Sequence, residues 1–165
     1  MLLFHDAGVS VEEVPGHKTL CFYLTGCLND CKNCHYPELR DSKYGECLKD
    51  KFYHIVELYI DYISCVAFMG EGTIQDRDEL ISYAKYVQDR GLKNCLYCGR
   101  NVRIEEWMSV FDYIKTGAYI EKAGPLTKPG TNQRMFYKDG SSYVDITFRF
   151  GLLKETEELG IRLSG

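Results

Sequence analysis

Residues 64–99 read SCVAFMGEGTIQDRDELISYAKYVQDRGLKNCLYCG, and this stretch decides the fold class. Residues 64–69 (SCVAFM) form a continuous apolar run that stops at Gly70, the pattern of a buried strand. Residues 76–90 (DRDELISYAKYVQDR) put Leu80, Ile81, Ala84 and Val87 on one helical face, with Gly91 as the stop. Asn94 to Cys98 (NCLYC) then reads as a second strand, ending at Gly99. Strand, helix, strand at this spacing implies a right-handed crossover and a parallel pair.

The same rhythm extends in both directions. Upstream, Thr19 to Thr25 (TLCFYLT) is a β-prone run ending at Gly26, and residues 49–62 carry Phe52, Ile55, Val56, Tyr59 and Ile60 at helical spacing. Downstream, Ile104 to Met108 predicts a short helix and Phe111 to Lys115 a strand ending near Gly117. Residues 118–134 read as a loop. Residues 135–138 and 143–150 flank Asp139-Gly140, which signals a C-terminal hairpin. The expected class is α/β: parallel strands with crossover helices, one domain over 1–150, and a polar tail over 151–165. Sites in such folds lie beyond the C-terminal strand ends, where Gly26, Gly70, Gly99 and Gly117 fall.

Bulk properties narrow the function. The 165 residues carry a net charge of −4, which argues against gripping a nucleic-acid backbone. The opening MLLFHDAGVSVEE lacks a basic n-region, and no run reaches the ~20 apolar residues of a membrane span. A cytoplasmic chain with neither membrane nor nucleic acid as partner is expected. In that compartment the eight cysteines point to metal binding before disulfides.

Residues 26–36 read GCLNDCKNCHY, with Cys27, Cys31 and Cys34 spaced C-x-x-x-C-x-x-C in a loop directly after a strand. Three thiolates there suit a 4Fe-4S cluster whose fourth iron has no protein ligand. The same cysteines with His35 or Cys47 would make a zinc site, and a disulfide with a spare thiol is a further reading. Zinc sites more often show two separated ligand pairs. Cys95 and Cys98 form a second C-x-x-C, but three residues apart on a strand they face opposite sides. Cys21, Cys47 and Cys65 read as small buried hydrophobes.

The cysteine spacing resembles the signature of radical S-adenosylmethionine enzymes. Further segments resemble one subfamily, the activating proteins of the anaerobic (class III) ribonucleoside-triphosphate reductases: FMGEG (68–72), LYCGR (96–100), FDYIKTGAYIEKAGPL (111–126), TNQR (131–134) and DITFRF (145–150). The resemblance implies a partial (β/α) barrel of the radical-SAM type with one 4Fe-4S cluster per chain. It implies reductive cleavage of S-adenosylmethionine to a 5′-deoxyadenosyl radical that abstracts hydrogen from a glycine of the reductase's large subunit. A flavodoxin or ferredoxin would donate the electron. Alternatives are an activase of another glycyl-radical enzyme, a peptide-modifying radical enzyme, or, in another class, a zinc-binding protein-interaction module.

The resemblance also distributes roles. Cys27, Cys31 and Cys34 are the metal ligands, and His35 and Tyr36 lie where relatives contact adenine. Gly70 and Glu71 are candidates for the methionine amino group, although the relatives' acidic residue aligns with Gly72; either Glu71 or main-chain carbonyls would hold it. Tyr97, Arg100, Asp112 and Lys115 are placed near strand ends for ribose and carboxylate contacts. Arg100 or Lys115 would pair with the methionine carboxylate. Asn132, Gln133 and Arg134 would order their loop or meet the reductase. For Tyr97 and Asp112 a core or capping role is the competing reading, and for Lys115 a solvated strand end.

Overall fold

The computed structural model describes residues 1–25, 45–118, 123–128 and 130–151. Its strands are β1 (Leu3–Ser10), β2 (Thr19–Leu24), β3 (Glu46–Cys47), β4 (Cys65–Met69), β5 (Lys93–Tyr97), β6 (Tyr113–Thr116), β7 (Arg134–Asp139) and β8 (Ser142–Asp145). Among the described residues α1 (Phe52–Tyr59) and α2 (Arg77–Asp89) accompany them. The strands form one sheet in the order β3-β1-β2-β4-β5-β6-β7-β8. β2, β4, β5 and β6 are mutually parallel, whereas β1, β3, β7 and β8 join antiparallel. No helix among the described residues is long and apolar enough to cross a membrane.

The parallel centre follows the expected alternation, and the flanks depart from it. β1 was not expected, because its sequence LFHDAGVS breaks apolar alternation after Phe4; six register pairs with β2 define it instead. The expected strand over 143–150 stops at Asp145. There Asp145 Oδ1 accepts from Thr147 N at 2.9 Å, and residues 148–151 turn helical. The short helix expected over 104–108 is a 3-10 turn at Glu106–Val110. Cys47 is half-buried rather than buried.

Strand alternation divides the core into two layers. The helix-bearing face buries Phe22, Phe68, Leu96 and Ile114 against Phe52 and Val56 of α1 and Leu80, Tyr83 and Val87 of α2. Its rings interlock: Phe52 lies 4.3 Å from Tyr83, 5.1 Å from Phe22 and 5.8 Å from Phe68 between centroids. Each such ring contributes roughly 1.5–3 kcal/mol by burial. The opposite face buries a second cluster, in which the small side chains Cys21, Ala67 and Cys95 align in one row across three strands. The next row toward the C-terminal ends is Tyr23, Met69, Tyr97 and Lys115. Cys95 and Cys98 do lie in different layers, as their spacing requires.

Candidate functional site

β4 and β6 run directly into glycines at the same end of the sheet. Gly70 follows β4 with φ of 122°, and Gly72 follows with φ of 67°, both values that side chains resist. A Cβ on Gly72 would also sit 2.9 Å from Asp76 Oδ2. Asp76 is fixed there because the Thr73 amide and hydroxyl both donate to it at 2.9 Å. This turn therefore has one backbone path, and it delivers Glu71 to the rim.

Glu71 is then claimed by neighbours. Arg100 forms a two-pronged pair with it, Nε to Oε2 at 2.9 Å and Nη2 to Oε1 at 2.7 Å. The Cys98 thiol adds a 3.4 Å contact to Oε2. Arg100 Nη2 also donates to Glu105 Oε1 at 2.5 Å, and Trp107 Nε1 donates to the same oxygen at 3.1 Å. Arg77 closes the group, 4.7 Å above the Trp107 ring. The Arg100 guanidinium, then Trp107, holds the Glu105 carboxyl below its ordinary range. Burial, followed by the charge of Glu71, pushes the Cys98 thiol up to about 11. Both oxygens of Glu71 are thus engaged on the helix-bearing side, where Cys98 packs.

Tyr97 and Lys115 stand on the other face. Lys115 is only 7% exposed and donates to Gly117 O at 2.7 Å, so it is not a solvated strand-end lysine. Its ammonium lies 5.7 Å over the Tyr97 ring, and the Tyr97 hydroxyl donates to the main-chain oxygen of Glu13. Burial pushes the Glu13 carboxyl above its ordinary range, against the Tyr97 and Lys115 contributions. Sequence reasoning missed Glu13. No local signal marks it, since it meets Tyr97 across 84 positions only through the fold.

Asp112 needs correction. It precedes β6 rather than following a strand, and so lies at the opposite end of the sheet from Gly70 and Gly117. There it exchanges hydrogen bonds with Asn94: Asn94 N donates to Asp112 Oδ2 at 3.0 Å, and Asp112 N donates to Asn94 Oδ1 at 2.7 Å. That is a structural staple far from the rim. The 131–134 segment ties its own loop. Thr131 Oγ1 and Gln133 Nε2 both donate to Gly124 O, and Asn132 Nδ2 donates to Ala118 O at 2.8 Å. Among the described residues no donor reaches the buried Asn132 Oδ1, which costs about 1–3 kcal/mol where none arrives.

Cys27, Cys31, Cys34, His35 and Tyr36 lie outside the described residues. The remaining cysteines still test the donor set, because cluster ligation needs thiolates. Burial pushes the thiols of Cys21 up to about 12 and of Cys65 and Cys95 well above their ordinary value. Among the described residues, no three His, Cys, Asp or Glu side chains converge as a metal site. The thiols of Cys21, Cys65, Cys95 and Cys98 are packing groups, which leaves half-buried Cys47 and the cysteines of residues 26–44 as donors, a set whose chemistry suits a group held by three cysteines.

A family model described as a 4Fe-4S single cluster domain matches residues 14–116. Comparison with curated proteins gives no match.

Proposed function

Since the chain belongs to the 4Fe-4S single cluster domain family, we propose that it is a radical S-adenosylmethionine activase acting on a glycine of an anaerobic ribonucleoside-triphosphate reductase. One observation carries the reading. Cys27, Cys31 and Cys34 fall inside the matched span directly after β2, while Cys21, Cys65, Cys95 and Cys98 are committed to the core. When bound, the cluster and S-adenosylmethionine supply one-electron cleavage of the C5′–S bond and hydrogen abstraction from the partner's glycine. We read the mixed sheet as the partial barrel that places this chemistry at its C-terminal strand ends.

The chain's own residues then bind and orient. Lys115 is a buried cation beside Tyr97, suited to the carboxylate of the methionine end. With Glu71 held by Arg100, the main-chain carbonyls of the 70–72 turn become the acceptors for the amino group. Arg100 then acts by fixing that turn, not by touching the carboxylate. Cys21, Ala67 and Cys95 line the face with apolar groups and exclude water.

Anaerobic reconstitution with iron and sulfide should give a brown protein. Dithionite and S-adenosylmethionine should then yield 5′-deoxyadenosine, and C31A should abolish both colour and product. A colourless protein holding one zinc, or a cluster that forms no product, overturns the reading.

A further inference from the structure

A groove of about 500 Å³ opens on the helix-bearing face at the far side of the rim. It exists because the β5-to-β6 connection contains only the 3-10 turn at Glu106–Val110, too short to cover β6 and β7. Phe136 is in register with Ile114 of the helix-side core and lines the groove from β7. Val102 and Ile104 form the facing apolar wall. The volume falls in the range of ~300–1,000 Å³ typical of ligand sites.

Charge gives the groove its direction. Among the described residues its lining includes Arg103 and Arg134 and no carboxylate, in a chain of net charge −4. Arg134 is answered by Asp145 at 2.7 Å. Arg103 is exposed and has no acidic partner among the described residues. The end wall is rigid. Ala118 N donates to Asn101 Oδ1 at 3.0 Å, and Asn132 Nδ2 donates to that oxygen and to Ala118 O. These bonds fix both amide orientations and leave Asn132 Oδ1 as the surplus acceptor.

We propose that this groove seats an extended acidic segment of the protein partner, its carboxylate on Arg103 and its apolar side on Val102, Ile104 and Phe136. Arginine-based capture of an acidic motif over an apolar floor is a recurrent way to hold peptide chain. The proposal rests on the reading that the chain acts on another protein. It assigns recognition to the face opposite Tyr97 and Lys115, so docking and cofactor binding use different sides of the sheet. A steered acidic partner also binds in a salt-dependent way.

The test uses the full chain, reconstituted, and fluorescein-labelled nonapeptides of repeating Gly-Asp-Val, Gly-Ser-Val and Gly-Lys-Val. Anisotropy should show the Asp peptide binding about tenfold tighter than the Ser peptide, as expected for one charge-assisted contact. R103E should erase that preference, R103K should keep part of it, and added salt should weaken the wild type more than R103E. Hydrogen exchange should slow at 101–104 and 134–136 on peptide addition. Equal binding of Asp and Ser peptides, an R103E variant that still prefers Asp, or protection confined to other segments overturns the proposal. Peptide binding is read without S-adenosylmethionine, and 5′-deoxyadenosine formation without peptide. Failure of docking and failure of the activase reading are therefore separate results.

Discussion

The two faces of the sheet use side chains of different size for different work. On the helix-bearing face, Phe22, Phe52, Phe68, Tyr83 and Phe111 are all essentially inaccessible and touch one another. On the other face the aligned row is Cys21, Ala67 and Cys95, and its polar neighbours Tyr97 and Lys115 lie one row nearer the rim. Large rings supply most of the apolar area and hence most of the stability. Small groups supply less, but they let other chemistry lie close to the backbone. The chain places its aromatic packing behind the sheet and a second buried cluster, centred on this small-residue row, in front.

The largest expected effect breaks the firm side. Phe68 is fully buried, with ring centroids of Phe22, Phe52, Tyr83 and Phe111 all within 6.5 Å. Phe68→Ala should cost about 3–5 kcal/mol, since the interlocked rings cannot collapse into the cavity. At this chain length that lowers Tm by roughly 10 °C, read by thermal melting. A loss below about 1 kcal/mol would mean that the aromatic layer is not the main source of stability.

Ala67→Leu probes the other face with a smaller effect on stability. Ala67 is 0% exposed, so added methyl groups strain their neighbours and cost about 1–3 kcal/mol. On the proposed reading the same change obstructs S-adenosylmethionine and raises its dissociation constant at least about tenfold, as steric exclusion of one contact implies. Phe68→Leu, one residue away and facing the helices, should shift Tm and spare that affinity. Calorimetric titration of both variants decides it. Equal affinities would remove the front of the sheet from the site.

Legibility in the sequence follows the same division. The parallel centre was readable because strands buried on both faces are continuous apolar runs, and α2 is an amphipathic run with an acidic start and a glycine stop. β1 was not, because its stability comes from pairing with β2 and its side chains alternate poorly. The rim glycines Gly70 and Gly117 marked the right end of the sheet. The partners of Glu71, Tyr97 and Asp112 were hidden, because each depends on a contact at least 18 positions away. Asp112 shows a different miss: it stands just before the start of β6, the end away from Gly117, and its pairing with Asn94 shows only in the fold.

That other end gives the smallest prediction and tests whether the front face is also held far from its rim. His17 Nδ1 lies 2.8 Å from Ser64 Oγ, and Nε2 lies 2.9 Å from the Tyr113 hydroxyl, joining the entry to β2 with the starts of β4 and β6. Burial, then the Lys93 charge, holds the imidazole below its ordinary value. The folded chain therefore binds fewer protons here than the unfolded chain, and stability rises with pH across this window. The contribution is complete above the ordinary histidine value of ~6.5 and is lost as pH falls from there through the folded value. Urea midpoints of wild type and His17→Gln should differ by less at pH 5.5 than at pH 7.5, with carboxylate titration cancelling in the difference. A gap that stays constant or widens on acidification would show that His17 is not buried neutral, and that the front face is tied down at its rim alone.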